Sequence, residues 1–201
     1  MNQTISVYSG KSVNFVEPNV QDISIEDIGK SLSKKCRWNG HCIKFYSVAE
    51  HSVYVAKMAK KIMEEFDIED PNGAIHKKAF IHDFSEAYIS DIHTLLKQML
   101  PAYQHIEMKT TYNIDMAFSI QLTPHTEWVV KAADNVMLQQ EGNVLLKGEI
   151  NKLLLSRIPA KVREKGFVYK PEYQMIPYEE YNHNKAYNFF MSYYMDNFHE
   201  K

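Results

Sequence analysis

The sequence predicts an all-α protein that carries a short N-terminal β-hairpin arm. Three observations lead there. Apolar residues recur at helical spacing over most of the chain, as at Val48, Val55, Met58, Ile62 and Phe66. Ser47-Val48-Ala49-Glu50 is a capping box, with Ser at the N-cap and Glu three residues on. Strict alternation is confined to Thr4–Val7 and Val13–Phe15, either side of the turn dipeptide Ser9-Gly10.

The hairpin forms an arm over residues 1–20. Ser24-Ile25-Glu26-Asp27 resembles a capping signal, and its helix is expected to reach about Lys34. Arg37-Trp38-Asn39-Gly40-His41 reads as a loop, because Asn-Gly favours a turn. The helix opened by Ser47 runs to about Phe66, with His51 on its apolar stripe. Pro71-Asn72-Gly73 breaks the chain, and Ala74–Ser85 reads as the next helix, with His82-Asp83 near its end. Helices are expected over Ile92–Gln98, Tyr103–Ile120 and Thr126–Leu146. The last has Val130, Ala133, Met137, Leu138 and Glu141 on one side, with Asp134 inside that face. Pro159, Pro171 and Pro177 punctuate a stretch of little periodicity, expected as a surface loop. A final helix over Glu179–Phe198 carries Tyr187, Phe190, Tyr194 and Phe198, which suit a core or subunit contact. Residues 1–201 are read as one domain: arm 1–20, helical core 21–146 and C-terminal appendage 147–201.

Composition narrows the function. The 201 residues are 45% hydrophobic and 24% charged, which excludes a disordered or low-complexity chain. A formal charge of −2 leaves no global field for nucleic acid or an anionic membrane. The two cysteines, Cys36 and Cys42, cannot staple a secreted scaffold. The first ten residues lack a signal-peptide pattern, and no apolar run approaches a membrane span, so a cytoplasmic location is expected.

Among nine histidines, His51 and His82 stand out beside Asp83 and Asp134. A lone histidine on an apolar face is usually a core residue satisfied by a hydrogen bond, and a His-Asp dipeptide is common by chance. A lone buried carboxylate is costly unless paired. Two imidazoles and two carboxylates on successive helices fit a divalent transition metal, which removes that cost and can assist phosphoryl chemistry. His41, His93 and His105 have no place in the pattern.

The pattern His51 … His82-Asp83 … Asp134 resembles the HD-domain metal-dependent phosphohydrolases. Arg37-Trp38, Ser47–Ser52, His82–Ala87, Asp91, Lys97 and Ala133-Asp134-Asn135 are similar to one branch. That branch holds bacterial 5′-deoxynucleotidases and phage dATP triphosphohydrolases. The Tyr8-Ser9-Gly10-Lys11 arm is similar to the phage proteins. The resemblance implies an HD-domain helical bundle, with His51, His82, Asp83 and Asp134 binding Zn²⁺, Co²⁺ or Mn²⁺. It allows a second ion such as Mg²⁺ at the phosphates. It implies Glu86 as the carboxylate that orients or deprotonates water, and Arg37 and Lys97 as phosphate contacts. Asp91 would accept from the deoxyribose hydroxyl, and Trp38 would wall the sugar or base. Leu95 and Leu96 stand where that branch often has a proline before the lysine, so the loop holding Lys97 is expected to be shaped differently.

Neighbouring branches fit less well, because Phe84-Ser85-Glu86-Ala87 lacks the Gly-Lys of cyclic-dinucleotide phosphodiesterases and the Glu-Asp of alarmone hydrolases. The implied reaction is dATP to deoxyadenosine and triphosphate, in phages that replace adenine with 2-aminoadenine, within the host cytoplasm. The alternative is a 5′-monophosphatase on the same metal site. The partners implied are a small deoxynucleotide and further copies of the chain, with no nucleic acid or membrane. Two other classes stay open: a non-catalytic nucleotide binder and a helical interaction module.

Overall fold

In the computed structural model, residues 3–147, 152–177 and 179–199 are described. They are mostly helical, with one small antiparallel sheet. Strands β1 (Thr4–Ser6) and β2 (Ser12–Asn14) pair Thr4 with Asn14, Ile5 with Val13 and Ser6 with Ser12. Gly10 sits at φ +84°, where a side chain would strain the turn. The hairpin is tied down at both ends. Val13 is fully buried. Ser9 donates from its backbone N–H and its hydroxyl to the Asp27 carboxylate, at 2.7 and 2.9 Å.

The helices are α1 (Ile25–Leu32), α2 (Val48–Glu65), α3 (Ala74–Ile81), α4 (Glu86–Ile89), α5 (Thr94–Gln98), α6 (Pro101–Ala117), α7 (Thr126–Leu145), α8 (Lys152–Arg157), α9 (Ala160–Glu164) and α10 (His183–Asn197). Helix α2 is the centre, packed by α3, α7 and α10. Its capping box forms as read. Ser47 Oγ accepts from the Glu50 N–H at 3.2 Å, and the Glu50 carboxylate accepts from the Ser47 N–H at 2.8 Å. Because neighbours cover it on several sides, α2 buries Val53, Ala56 and Ala59 as well as Val48, Val55, Met58 and Ile62 of the expected stripe, while Phe66 just beyond it is half-buried. One stripe suits a helix lying on a surface; a surrounded helix is apolar around most of its circumference.

Three expectations need correction. The helix from Ala74 ends at Ile81, not Ser85. Residues 82–85 form a tighter turn, with i to i+3 bonds from the Phe84 and Glu86 N–H groups to Ile81 and Asp83 oxygens. The inner face of α7 is turned relative to the expected one. Val129, Ala132, Ala133, Val136 and Met137 are buried, while Val130 and Leu138 are half-buried. The stretch after α7 is not a surface loop in its described residues. It carries α8 and α9 and sends Ile158, Val162, Phe167 and Val168 into the core. Pro159 and Pro171 sit at helix starts, where the missing N–H costs nothing. Gln140 on α7 anchors this stretch by donating to the Phe167 and Tyr173 carbonyls, both at 2.9 Å. Residues 148–151 of the expected appendage lie outside the described residues.

Helix α10 starts at the N-cap Asn182, whose side chain accepts from the Lys185 N–H at 2.9 Å. Its aromatic stripe packs on this chain's own core: the Phe80 ring lies 4.8 Å from that of Phe190 and 5.2 Å from that of Phe198. Among the described residues no helix is long and apolar enough to cross a membrane.

Candidate metal centre

The first turn of α2, the turn after α3 and the middle of α7 meet at one place. Each contributes a residue singled out by the sequence: His51, the pair His82-Asp83, and Asp134. One donor atom each from His51, His82 and Asp83 lies within 4.8 Å of the others, a group able to hold a metal ion. Asp134 approaches it, with Oδ1 3.4 Å from His51 Nε2.

Both imidazoles are fixed through the nitrogen that faces away from this point. His82 Nδ1–H donates to the Ala79 carbonyl at 2.8 Å. His51 Nδ1–H donates to Glu141 Oε1 at 2.5 Å. The two Nε2 atoms are therefore left with outward lone pairs. Both are buried without a hydrogen-bond partner. His82 Nε2 stands 3.1 Å from Asp83 Oδ2, and His51 Nε2 stands 3.6 Å from the same oxygen. Lone pairs and carboxylates converging in a buried place repel one another unless a cation sits among them. This arrangement of the outer nitrogens is also what fixes a metal-ligating histidine.

The electrostatics agree. Burial would raise Asp83 and Asp134, but the two imidazoles outweigh it and hold both carboxyls well below the ordinary carboxylate range. Burial and Arg37 oppose charge on His51, yet Glu141 and Asp134 push its pKa up to about 9. A proton is thus the alternative to a metal at this position.

Glu86 opens α4 and is 6% exposed. Burial first, then Asp83 and Asp91, push its carboxyl well above its usual value. Its Oε2 has no hydrogen-bond partner. The tight turn after α3 delivers it to the site. Arg37 is buried, with Nε donating to Glu141 Oε2 at 2.9 Å and Nη1 3.6 Å from Asp83 Oδ2. Trp38 beside it is half-buried, holds φ at +56° and leaves its indole Nε1 buried without a partner. Ser90, just before the half-buried Asp91, takes φ 70° and ψ 159°, a region almost confined to glycine. Backbone strain thus sits beside two of the sequence-derived site residues.

Lys97 is the weakest member. Its Nζ bonds Glu107 Oε1 at 2.5 Å, and it reaches Glu86 and Asp83 only as a nearby charge. His41, His93 and His105 are exposed and stay out of the cluster, and His93 merely caps α5 by accepting from the Leu95 N–H.

Two residues escaped the sequence reading. Lys35 donates its Nζ to the Glu86 carbonyl, and burial lowers its pKa against the pull of Glu86 and Asp91. A single lysine two residues before Arg37 carries no signal of its own. Glu141 is fully buried and takes both His51 and Arg37. Its signal was present: a carboxylate on an otherwise apolar helical face, two turns beyond Asp134.

No family model matches the chain. It is 38% identical over 137 residues to the uncharacterized protein YfdR of Escherichia coli, covering 68% of this chain and 69% of that one. It is 29% identical over 142 residues to the uncharacterized protein RCAP_rcc00048 of Rhodobacter capsulatus, covering 66% and 68%.

Proposed function

This chain belongs to the family of the Escherichia coli protein YfdR, and from its own residues we propose that it is an HD-domain metal-dependent phosphohydrolase acting on a deoxynucleotide. The observation that carries the reading is the pair of partnerless, buried Nε2 atoms of His51 and His82 facing Asp83. His51, His82, Asp83 and Asp134 would hold a divalent transition ion such as Zn²⁺, Co²⁺ or Mn²⁺. Bound there, the ion supplies Lewis acidity toward a phosphoryl oxygen and toward water.

The chain's own residues do the rest. Glu86 takes the proton of the attacking water, since it is buried close to the site with its Oε2 free of any hydrogen-bond partner. Arg37, held at Nε, turns its remaining donors to phosphate oxygens. Asp91 accepts from the sugar hydroxyl, and Trp38 borders sugar or base. Chemistry of this kind needs chiefly positioning and charge neutralisation.

Within this class the substrate is dATP, cleaved to deoxyadenosine and triphosphate, in a phage that removes dATP in favour of 2-aminoadenine nucleotides. The support is the resemblance of Tyr8–Lys11, a segment anchored here through Ser9 and Asp27. One observation favours the monophosphatase alternative: Lys97 is engaged by Glu107, which leaves less positive charge for a triphosphate. Incubation of the pure, metal-loaded protein with dATP and with dAMP decides between them. Triphosphate as the first product from dATP is expected. Orthophosphate from dAMP, with dATP untouched, selects the alternative. Inertness toward both removes the hydrolase reading.

A further inference from the structure

We propose that Glu141 is a positioning residue that couples the metal ligand His51 to the phosphate-facing Arg37. The inference rests on the metal-site reading above and adds a residue that the HD pattern in this sequence does not assign. Glu141 lies on α7, on the same side as Asp134, and has no exposed surface. Each of its oxygens has one donor. Oε1 receives His51 Nδ1–H at 2.5 Å, and Oε2 receives Arg37 Nε–H at 2.9 Å.

The two bonds do different things. The first holds the His51 proton on Nδ1, so that Nε2 keeps its lone pair toward Asp83 and Asp134. The second holds the guanidinium by its inner nitrogen, so that the outer nitrogens stay free, one of them 3.6 Å from Asp83 Oδ2. One carboxylate therefore sets the tautomer of a ligand and the direction of the anion-binding group. A displacement of either donor is felt by the other through a rigid, buried link. Ion uptake and phosphate binding should then reinforce each other.

Glu141→Gln tests this, because the amide is isosteric but has one acceptor oxygen. It can serve His51 or Arg37, not both, so one group loses its partner directly and the other is disturbed only through the coupling. Co²⁺ affinity is measured by competition with a chromophoric chelator, and inorganic triphosphate affinity by calorimetry at saturating Co²⁺. Circular dichroism checks that the variant is folded. The expected result is Co²⁺ binding ~10- to 100-fold weaker than wild type, together with weaker triphosphate binding even when Co²⁺ is saturating. Loss of either affinity alone, or of neither, overturns the coupling. If the wild-type protein itself takes up no Co²⁺, the metal-site reading falls first, and that outcome does not involve Glu141. Should the variant not fold, ¹⁵N spectra of the Zn²⁺-loaded wild type decide. A protonated, strongly deshielded Nδ1–H on His51 supports the proposal, and a bare Nδ1 overturns it.

Discussion

The rings of His51 and His82 stand 5.2 Å apart, centroid to centroid, with their planes tilted by 56°. Neither helix alone brings them there. Helix α2 supplies the first and the turn after α3 supplies the second, and the buried contact between α2 and α3 sets their separation.

His82→Ala should abolish retention of an ion. After loading with Zn²⁺ and gel filtration, elemental analysis should find about one equivalent in wild type and under a tenth of that in the variant. Zn²⁺ should also raise the wild-type melting temperature, since an ion at 100 times its Kd adds ~2.7 kcal/mol. Full retention by the variant would remove His82 from the ligand set.

Glu86→Gln should separate chemistry from binding. The amide cannot take a proton, so turnover of the preferred deoxynucleotide should fall by ~10²- to 10⁴-fold. Zn²⁺ content should be unchanged. Unaltered kcat would end the assignment of Glu86 as the proton acceptor.

His76 should make the protein acid-sensitive. It lies on α3, buried, with Nε2 2.8 Å from the Tyr193 hydroxyl. Burial first and Lys60 second push its pKa down from 6.5 to about 4. The unfolded chain therefore takes up a proton between those values that the folded chain refuses. This contribution is present in full above pH 6.5 and is lost as pH falls toward 4. The slope is ~1.4 kcal/mol per pH unit. His76→Gln keeps a polar partner for Tyr193 and removes the titration. Urea unfolding at pH 7.5 and 5.0 should show wild type losing about 2 kcal/mol more than the variant. Equal losses would contradict the burial argument.

Gly29→Ala should destabilise despite the better helix propensity of alanine. A Cβ at Gly29 would lie 3.0 Å from two Phe190 ring carbons and 3.2 Å from Tyr187. Phe190 is fully buried against Phe80 and Phe84 and has nowhere to go. Overpacking of this kind costs ~1–3 kcal/mol against a gain of about 1 from propensity. A net loss of about 1 kcal/mol is expected by urea unfolding, and a gain would mean the ring yields.

Local signals were legible where one residue type carries them. The Ser47 cap, the Ser9-Gly10 turn and the α2 stripe depend on near neighbours, and each is found where the residues place it. The stretch after α7 was misread for a related reason. Prolines at helix starts look like loop punctuation, and short helices such as α9 contain too few turns to display a period.

The sequence by itself determined the helical class and the hairpin arm, and it singled out His51, His82, Asp83 and Asp134 as candidates. Helical periodicity and cap chemistry act over one or two turns, whereas the four candidates stand out only as a set, since a lone histidine on an apolar face is usually a core residue. Only the tertiary structure decided what the other side of each candidate touches. Glu141 beneath His51, the Ala79 carbonyl beneath His82 and Glu107 beside Lys97 are contacts set by packing between elements, and Lys35 reaches Glu86 only because α1 lies against α4. Sequence distance says nothing about such pairs, because the buried interface that joins them is a property of the whole core.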